Sequence, residues 1–163
     1  MSTPQYHIFT DGGCRGNGVA QNPPGAWAMI VYNQHGKRIG SKSDSKRDTT
    51  NNEMEMRAIC EAIKWANIKG YSIQISTDSA FTKNGIESWM WGWAKKGWRK
   101  SDGEIVKNLL LWQEVYDATV IYKDKHGEAP TIHKVKGHSG DPRNTEVDAL
   151  VNVKMDELEY QDI

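Results

Sequence analysis

Four acidic residues of the sequence occupy positions where an ionised carboxylate is unusual. Asp11 and Asp78 each follow a short run of strand-forming residues, HIFT and IQIST. Glu55 is turned about 200° away from Glu53 on a helical wheel, so it faces the apolar side of a predicted helix. Asp148 lies at helical spacing from apolar residues of the last predicted helix, which predicts that it leans towards the core.

An acid at any one of these positions has an ordinary explanation. Aspartate often begins a turn after a strand, and a glutamate near the start of a helix is stabilised by the helix dipole. Together, two aspartates at strand ends and two inward acids predict one cluster at the end of a sheet that contains parallel strands. Such a cluster repels itself unless cations neutralise it, and oxygen ligands suit Mg²⁺ or Mn²⁺. Two such ions about 4 Å apart can clamp the attacking water and the leaving oxygen of a phosphodiester.

The elements that position these acids are predicted from hydrophobic patterning and turn residues. Strands are predicted over 5–10, 25–32, 37–45, 72–77 and 130–136. A helix is predicted to follow the cap residues 49–52 and to run to about 69, with others near 79–84, 86–91, 106–122 and 144–159. Three strands followed by alternating helix and strand predict an α/β fold, with a five-stranded mixed sheet and helices on both faces.

Composition sets the class of protein. The chain has 163 residues, 37% hydrophobic and 26% charged, which is typical of a globular protein and suits one domain over 1–163. No run approaches the roughly 18 apolar residues of a membrane span, and the opening residues lack the pattern of a signal peptide. Cys14 and Cys60 are the two cysteines, too few for a disulfide framework, so a reducing cytoplasm is the expected location.

A basic stretch, WAKKGWRK at Trp93–Lys100, stands out in a chain whose formal net charge is zero. We call this stretch the basic loop, and we expect it to belong to a protrusion at about 93–103. Its cations can contact phosphates, and indole rings can offer flat faces to sugars or bases. The alternative is a solvated charged surface, with Trp89 and Trp93 packed in the core at i, i+4 spacing of one helix. Clustering of the cations beside Trp98 favours nucleic-acid binding.

These motifs, in this order, resemble the type-1 ribonuclease H family of one-domain bacterial and phage enzymes over nearly the whole chain. The matching segments are Thr10-Asp11-Gly12, Gly16-Asn17, Thr49-Thr50-Asn51-Asn52 ahead of Glu55, Ser76-Thr77-Asp78-Ser79, and Lys136-Gly137-His138 followed by Asn144 and Asp148. The sequence departs from the family pattern in a longer Gly18–Gly25 loop, in Gly13 where Ser is commoner, and in Ala80 where Gln is frequent. These departures concern fine substrate contacts and leave the four carboxylates in place.

The resemblance implies a ribonuclease H-like fold and hydrolysis of the RNA strand of RNA–DNA hybrids, leaving 5′-phosphate and 3′-hydroxyl ends. It implies that Asp11, Glu55, Asp78 and Asp148 hold two Mg²⁺ ions, with Mn²⁺ as a substitute. His138 would assist proton transfer or product release, and imidazole titrates near neutral pH as that role requires. The substrate-binding candidates are Cys14, Asn17, Thr50, Asn51, Asn52, Trp89, Trp93, Lys95, Lys96, Trp98, Arg99, Lys100 and Asn144.

The amide side chains among these candidates have a chemical reason to contact the hybrid, because they can hydrogen-bond the 2′-hydroxyl that distinguishes RNA from DNA. Asparagine is also an ordinary turn and cap residue. We expect a monomer with no obligate protein partner. Two rival functions remain open at this point: a DNA-cutting or integrase-like nuclease on the same fold, and a hybrid-binding module without activity. The basic loop and the asparagines argue against the first, and the intact set of four acids argues against the second.

Overall fold

The computed structural model describes residues 5–16, 22–136 and 141–161. The strands within these residues are β1 (Gln5–Cys14), β2 (Gly25–Tyr32), β3 (Arg38–Lys46), β4 (Ser72–Thr77) and β5 (Thr131–Lys134). The helices are α1 (Asn51–Lys69), α2 (Ala80–Asn84), α3 (Met90–Lys95), α4 (Leu109–His126) and α5 (Pro142–Tyr160), with a π-helical turn over Gly85–Trp89 between α2 and α3. No helix among these residues is both long and apolar enough to span a bilayer.

The strands form one mixed sheet in the order β3-β2-β1-β4-β5. The first three strands are antiparallel neighbours, whereas β4 runs parallel to both β1 and β5. Helix α1 packs on β1, β2 and β4 with α4 behind it. Helix α5 packs on β1, β2 and β3, and it forms a separate apolar cluster with β1 and β2. The predicted five-stranded mixed sheet with helices on both faces is therefore confirmed.

Strand β1 is longer than its sequence predicts. The sequence predicts a strand that ends at residue 10, but Asp11, Gly12 and Gly13 continue it and pair with β2 as far as Cys14 opposite Gly25. The parallel pairing with β4 stops earlier, at Phe9 opposite Ser76. Gly12 serves close packing here, because a Cβ at this position would lie 2.3–2.6 Å from backbone atoms of Met54 and Glu55. The glycine thus lets the start of α1 come up against the strand that carries Asp11.

The two short helices predicted after β4 are joined into one nearly continuous helical segment, because the chain stays right-handed through Gly85. A Cβ on Gly85 would lie 2.0 Å from the Trp112 ring. Glycine is therefore required for the buried indole to pack against this backbone. The consequence is that residues 80–95 form one wall beside α4.

Helix α4 starts three residues later and ends four residues later than the pattern predicts. The amide of Val106 donates to the carbonyl of Trp98 at 3.0 Å, and Asn108 adopts a left-handed φ of 61°. The hydrogen bond and the left-handed backbone angle both belong to a loop, so the helix begins only at Leu109. Helix α5 begins two residues early, at Pro142, because the Asp141 side chain caps it by accepting the Arg143 amide at 2.9 Å.

Candidate metal and nucleic-acid site

Three of the four predicted acids meet at the end of the sheet. Asp11 lies on β1, Asp78 follows the carboxyl end of the parallel strand β4, and Glu55 lies in the second turn of α1. Each offers a carboxylate oxygen that lies within 4.8 Å of one from each of the other two. The parallel pairing of β1 and β4 and the close approach at Gly12 bring them together. Three acids distant in sequence therefore share one site.

Burial makes this cluster costly when no cation is present. Burial, together with the nearby charges of Asp78 and Asp148, raises the pKa of Asp11 to about 8. Burial likewise raises the pKa of Glu55 to about 7, although a hydrogen bond from Ser79 works in the opposite direction. A cation among these oxygens would favour the ionised forms and remove the repulsion.

Asp148 is placed differently from the prediction. It was expected to lean towards the core, but its side chain is exposed, and Val147 and Val151 are the buried residues of that stretch of α5. Its carboxyl still faces Asp11 closely enough to hydrogen-bond it and raise its pKa. The reason is that α5 turns its apolar stripe to the sheet and leaves Asp148 at the edge of that stripe. The fourth acid thus approaches the cluster from its solvent side.

The donor set fits a hard divalent cation. The ligand atoms are carboxylate oxygens, which Mg²⁺ and Mn²⁺ prefer, and no cysteine or histidine of the described residues belongs to the group. A site with one open, exposed side suits Mg²⁺, which usually keeps several waters and binds a phosphate together with one or two protein carboxylates.

A groove of about 980 Å³ runs between the start of α1 and the wall formed by residues 80–95, with the following residues 96–101 beside it. Its lining combines amides, aromatic rings and cations: Thr50, Asn51, Asn52, Phe81, Ser88, Trp89, Gly92, Trp93, Lys96, Arg99, Lys100, Ser101, Val106, Lys107, Asn108 and Trp112. Thr50 caps α1 by accepting the Glu53 amide at 3.2 Å, which leaves the exposed Asn51 and Asn52 at the rim. The groove could accommodate an anionic polymer with flat bases.

The tryptophans of this region divide into two groups. Trp89 is 38% exposed, and Trp93 packs its ring 5.5 Å from the buried Trp112, yet both line the groove. Trp98 does not line it; its ring packs edge-on against Tyr116 at 5.6 Å. Trp98 therefore anchors the basic loop to α4, and its neighbours Lys96, Arg99 and Lys100 reach the groove while Lys95 does not.

The remaining candidates lie around the acidic cluster or outside the described residues. Cys14 is half-buried at the end of β1, and its thiol donates to the Thr49 carbonyl at 3.3 Å. Asn144 lies half-buried in the first turn of α5. Asn17 and His138 fall outside the described residues, as do residues 18–21 of the Gly18–Gly25 loop.

Some groove residues were absent from the sequence-based set, namely Phe81, Ser88, Ser101, Val106, Lys107, Asn108 and Trp112. Lys107 extends the basic character of the protrusion and lay only seven residues beyond Lys100, so charge patterning could have suggested it. Ser88 carries no such signal, because its position on the wall depends on the unpredicted π-helical turn.

Comparison with solved structures defines the class. The fold matches the crystal structure of LC9-RNase H1, a type 1 RNase H with the type 2 active-site motif, with a TM-score of 0.78 and 29% identity over 96% of this chain and 74% of that one. It also matches LC11-RNase H1, solved in complex with RNA/DNA hybrid, with a TM-score of 0.66 and 20% identity over 94% and 98% of the two chains. The second likeness shows the fold alone. Fold and acidic cluster together define a metal-dependent nuclease, a phosphodiester hydrolase.

Sequence comparison identifies the family. The RNase H family model matches residues 3–155. The chain is 39% identical to the Ribonuclease H of Agrobacterium fabrum over 91% of its own length and 93% of that relative. It is 40% identical to the Ribonuclease H of Hahella chejuensis over 92% and 93% of the two chains. The chain belongs to the ribonuclease H family, and this identity supports cleavage of the RNA strand of RNA–DNA hybrids.

Proposed function

We propose that this protein hydrolyses the RNA strand of RNA–DNA hybrids by a two-metal mechanism, leaving 5′-phosphate and 3′-hydroxyl ends. The observation that carries the proposal is the convergence of Asp11, Glu55 and Asp78 within 4.8 Å, with Asp148 against Asp11. Two Mg²⁺ ions, or Mn²⁺ in their place, would supply a nucleophile at neutral pH and stabilise the leaving oxygen.

The four carboxylates hold and space the cations in this scheme. Asp11 and Glu55 have raised pKa values, so their ionisation is coupled to cation binding, and protons leave as the site fills. Ser79 supports Glu55 by a side-chain hydrogen bond and fixes its orientation. We propose that His138, which precedes α5 in the sequence, carries a proton during the reaction.

Substrate is held on both sides of the cluster. Asn51 and Asn52, with Cys14, Thr50 and Asn144, would contact the RNA strand, where amides can hydrogen-bond the 2′-hydroxyl. We assign Asn17 to the same role from the sequence alone. The groove lined by Trp89, Trp93 and the cations of the basic loop takes the DNA strand through phosphate contacts and stacking. A protein of the same fold, LC11-RNase H1, has been solved with an RNA/DNA hybrid.

We also propose that residues 1–163 form one ribonuclease H domain that acts as a monomer, with the protrusion at about 93–103. Both cysteines of the chain are free thiols, and Cys60 is buried, which suits a reducing cytoplasm. The relatives named above are bacterial.

A strand-labelled cleavage assay tests this function. Hybrids labelled on the RNA or on the DNA strand, duplex DNA, and single-stranded RNA are each incubated with the protein, with Mg²⁺ or with a chelator. We expect Mg²⁺-dependent cleavage of the RNA strand of the hybrid alone, with products that a 5′-phosphate-dependent exonuclease degrades. Cleavage of duplex DNA at a similar rate would favour the rival nuclease and contradict the proposal.

A further inference from the structure

The turn after β1 is fastened to the far half of α5 by one side chain. Arg15 Nη1 lies 2.7 Å from the Asp156 carboxylate and 3.1 Å from that of Glu159. Its Nη2 donates to the side chain of Asn152 at 3.3 Å and to the Asn152 carbonyl at 3.4 Å. A guanidinium with a fixed fork of donors thus contacts three successive turns of one helix. An isolated ion pair at the surface contributes little to stability. A network of several such contacts holds its side chains in a defined geometry and can contribute more.

This network continues towards Asp148. Asn152 lies one turn after Asp148 and donates from its side-chain amide to the Asp148 carbonyl at 3.1 Å. On the strand side, β1 and α5 pack closely at Gly13. A Cβ on Gly13 would lie in van der Waals contact with the side chains of Val151 and Met155, at 3.7 Å. Arg15 is therefore joined through Asn152 to the helix turn that carries Asp148, and it lies four residues after Asp11, in the turn that follows β1.

The position of Asp148 depends on how α5 is rotated. The helix meets the sheet through an apolar stripe of Val147, Val151 and Met155, and apolar contacts are not directional. A carboxylate at the helix surface moves roughly 2 Å when a helix of this diameter turns by about 20°. Metal sites tolerate deviations of only about 0.2 Å in ligand distances. An exposed acid on the helix flank therefore needs directional contacts to fix it.

Glu146 supplies one such contact in the first half of the helix, where it pairs with Arg38 at 2.6 Å and accepts from the Tyr32 hydroxyl at 2.7 Å. Beyond Asp148, Arg47 donates to the Leu158 carbonyl at 3.4 Å, but that contact lies ten residues away along the helix. We propose that Arg15, which contacts α5 only four residues after Asp148, is a positioning residue that sets Asp148 relative to Asp11 and so tunes the affinity of the site for its divalent cation. The proposal rests on the proposed function in assigning both acids as metal ligands.

The test compares Arg15→Ala with Lys154→Ala. Lys154 lies on the same helix and is equally exposed, but its ion pair with Glu157 at 3.3 Å stays within α5 and joins no other element. Mg²⁺ is titrated into each full-length protein by calorimetry, and hybrid cleavage is measured against Mg²⁺ concentration. We expect Arg15→Ala to raise the Mg²⁺ dissociation constant roughly tenfold, the lower end for losing a contact that orients a metal ligand. Lys154→Ala should leave it within twofold, and kcat at saturating Mg²⁺ should stay within threefold for both.

Two further variants keep the proposal refutable if Arg15→Ala proves unstable. Asp156→Asn combined with Glu159→Gln removes the contact from the helix side and should weaken Mg²⁺ binding by a similar factor, without adding to the effect of Arg15→Ala. Arg15→Lys keeps the charge without the fork and should restore affinity in part. If wild type binds Mg²⁺ and cleaves hybrid but every variant matches Lys154→Ala in Mg²⁺ affinity, the positioning role is refuted. If wild type itself fails to cleave hybrid with Mg²⁺, the proposed function has failed instead.

Discussion

Replacing Asp11 by Asn should stabilise the metal-free protein while abolishing its activity. The Asp11 carboxyl is 8% exposed, and burial together with the charges of Asp78 and Asp148 raises its pKa to about 8. A carboxyl whose pKa is raised on folding contributes stability that is fully present below its unfolded pKa of 3.8 and is lost as the pH rises through about 8. As the pH rises towards 8, the folded wild-type protein must therefore either take up a proton at Asp11 or hold an ionised acid at a site that disfavours it, and asparagine removes that cost.

The magnitude follows from the size of the shift. Each pKa unit corresponds to about 1.4 kcal/mol, so the full shift sets an upper bound of several kcal/mol. The cost is shared among the interacting acids, and the substitution also removes the carboxylate that accepts a stabilising hydrogen bond from the Gly12 amide. We therefore expect Asp11→Asn to raise the free energy of unfolding by about 2 kcal/mol at pH 8, or roughly 4–8 °C in Tm for a chain of this length.

The assay is urea or thermal unfolding of both proteins in chelator, at several pH values between 4.5 and 8. The difference in stability should shrink steadily as the pH falls towards 4.5, because Asp11 is then protonated in the folded wild type. Added Mg²⁺ should stabilise wild type more than the variant and narrow the gap. Asp124→Asn, the same change at an exposed position of α4, is the control and should have little effect. A gap that is absent at pH 8, or equal at pH 4.5 and 8, would refute the reasoning.

Three other perturbations have defined outcomes. Alanine at all four cations of the basic loop should raise KM far more than it lowers kcat, and should reduce the log–log salt dependence of hybrid binding by about three units, one for each cation that reaches the groove; an unchanged salt slope would mean a solvated surface only. Glu114→Gln should destabilise the protein by roughly 2 kcal/mol at pH 7 in urea unfolding. The reason is that hydrogen bonds from Arg57 lower the pKa of Glu114 to about 2. The stability that this interaction gives is present above pH 4.5 and is lost as the pH falls through about 2. Equal losses of unfolding free energy at pH 7 and at pH 2 would contradict this prediction. His138→Ala should slow kcat roughly 100-fold and change its pH profile while leaving hybrid KM near wild type; identical profiles would make His138 a bystander.

Much of the fold could be predicted because local signals agree with the tertiary structure. Strands β2 and β4 have the predicted bounds, and α1 ends at Lys69 with a left-handed Gly70 as its cap. Errors occurred where a tertiary contact overrides a local signal. The glycines after Asp11 look like a turn but permit close packing on Met54, and Gly85 looks like a break but accommodates Trp112.

In the site too, some features follow from local sequence signals and others depend on tertiary contacts. An acid on an apolar helix face and acids after strands have a chemical signature that sequence carries, so the cluster of Asp11, Glu55 and Asp78 could be expected before its geometry was known. The exposure of Asp148 could not, because helical spacing does not say how far round the helix the packed stripe extends. The contacts of Arg15 with α5 were equally hidden, since they join residues more than 130 positions apart.

The central claim is that these carboxylates hold the cations that drive hydrolysis. Its most direct test is the rate of hybrid cleavage against Mg²⁺ concentration for wild type and Asp78→Asn, with hybrid binding measured in parallel. We expect no wild-type cleavage in chelator, a rate that rises with Mg²⁺ and saturates, and a loss of at least about 1,000-fold in the variant at every Mg²⁺ concentration, with its hybrid Kd nearly unchanged. Near-normal turnover by Asp78→Asn, or cleavage by wild type in chelator, would contradict the account.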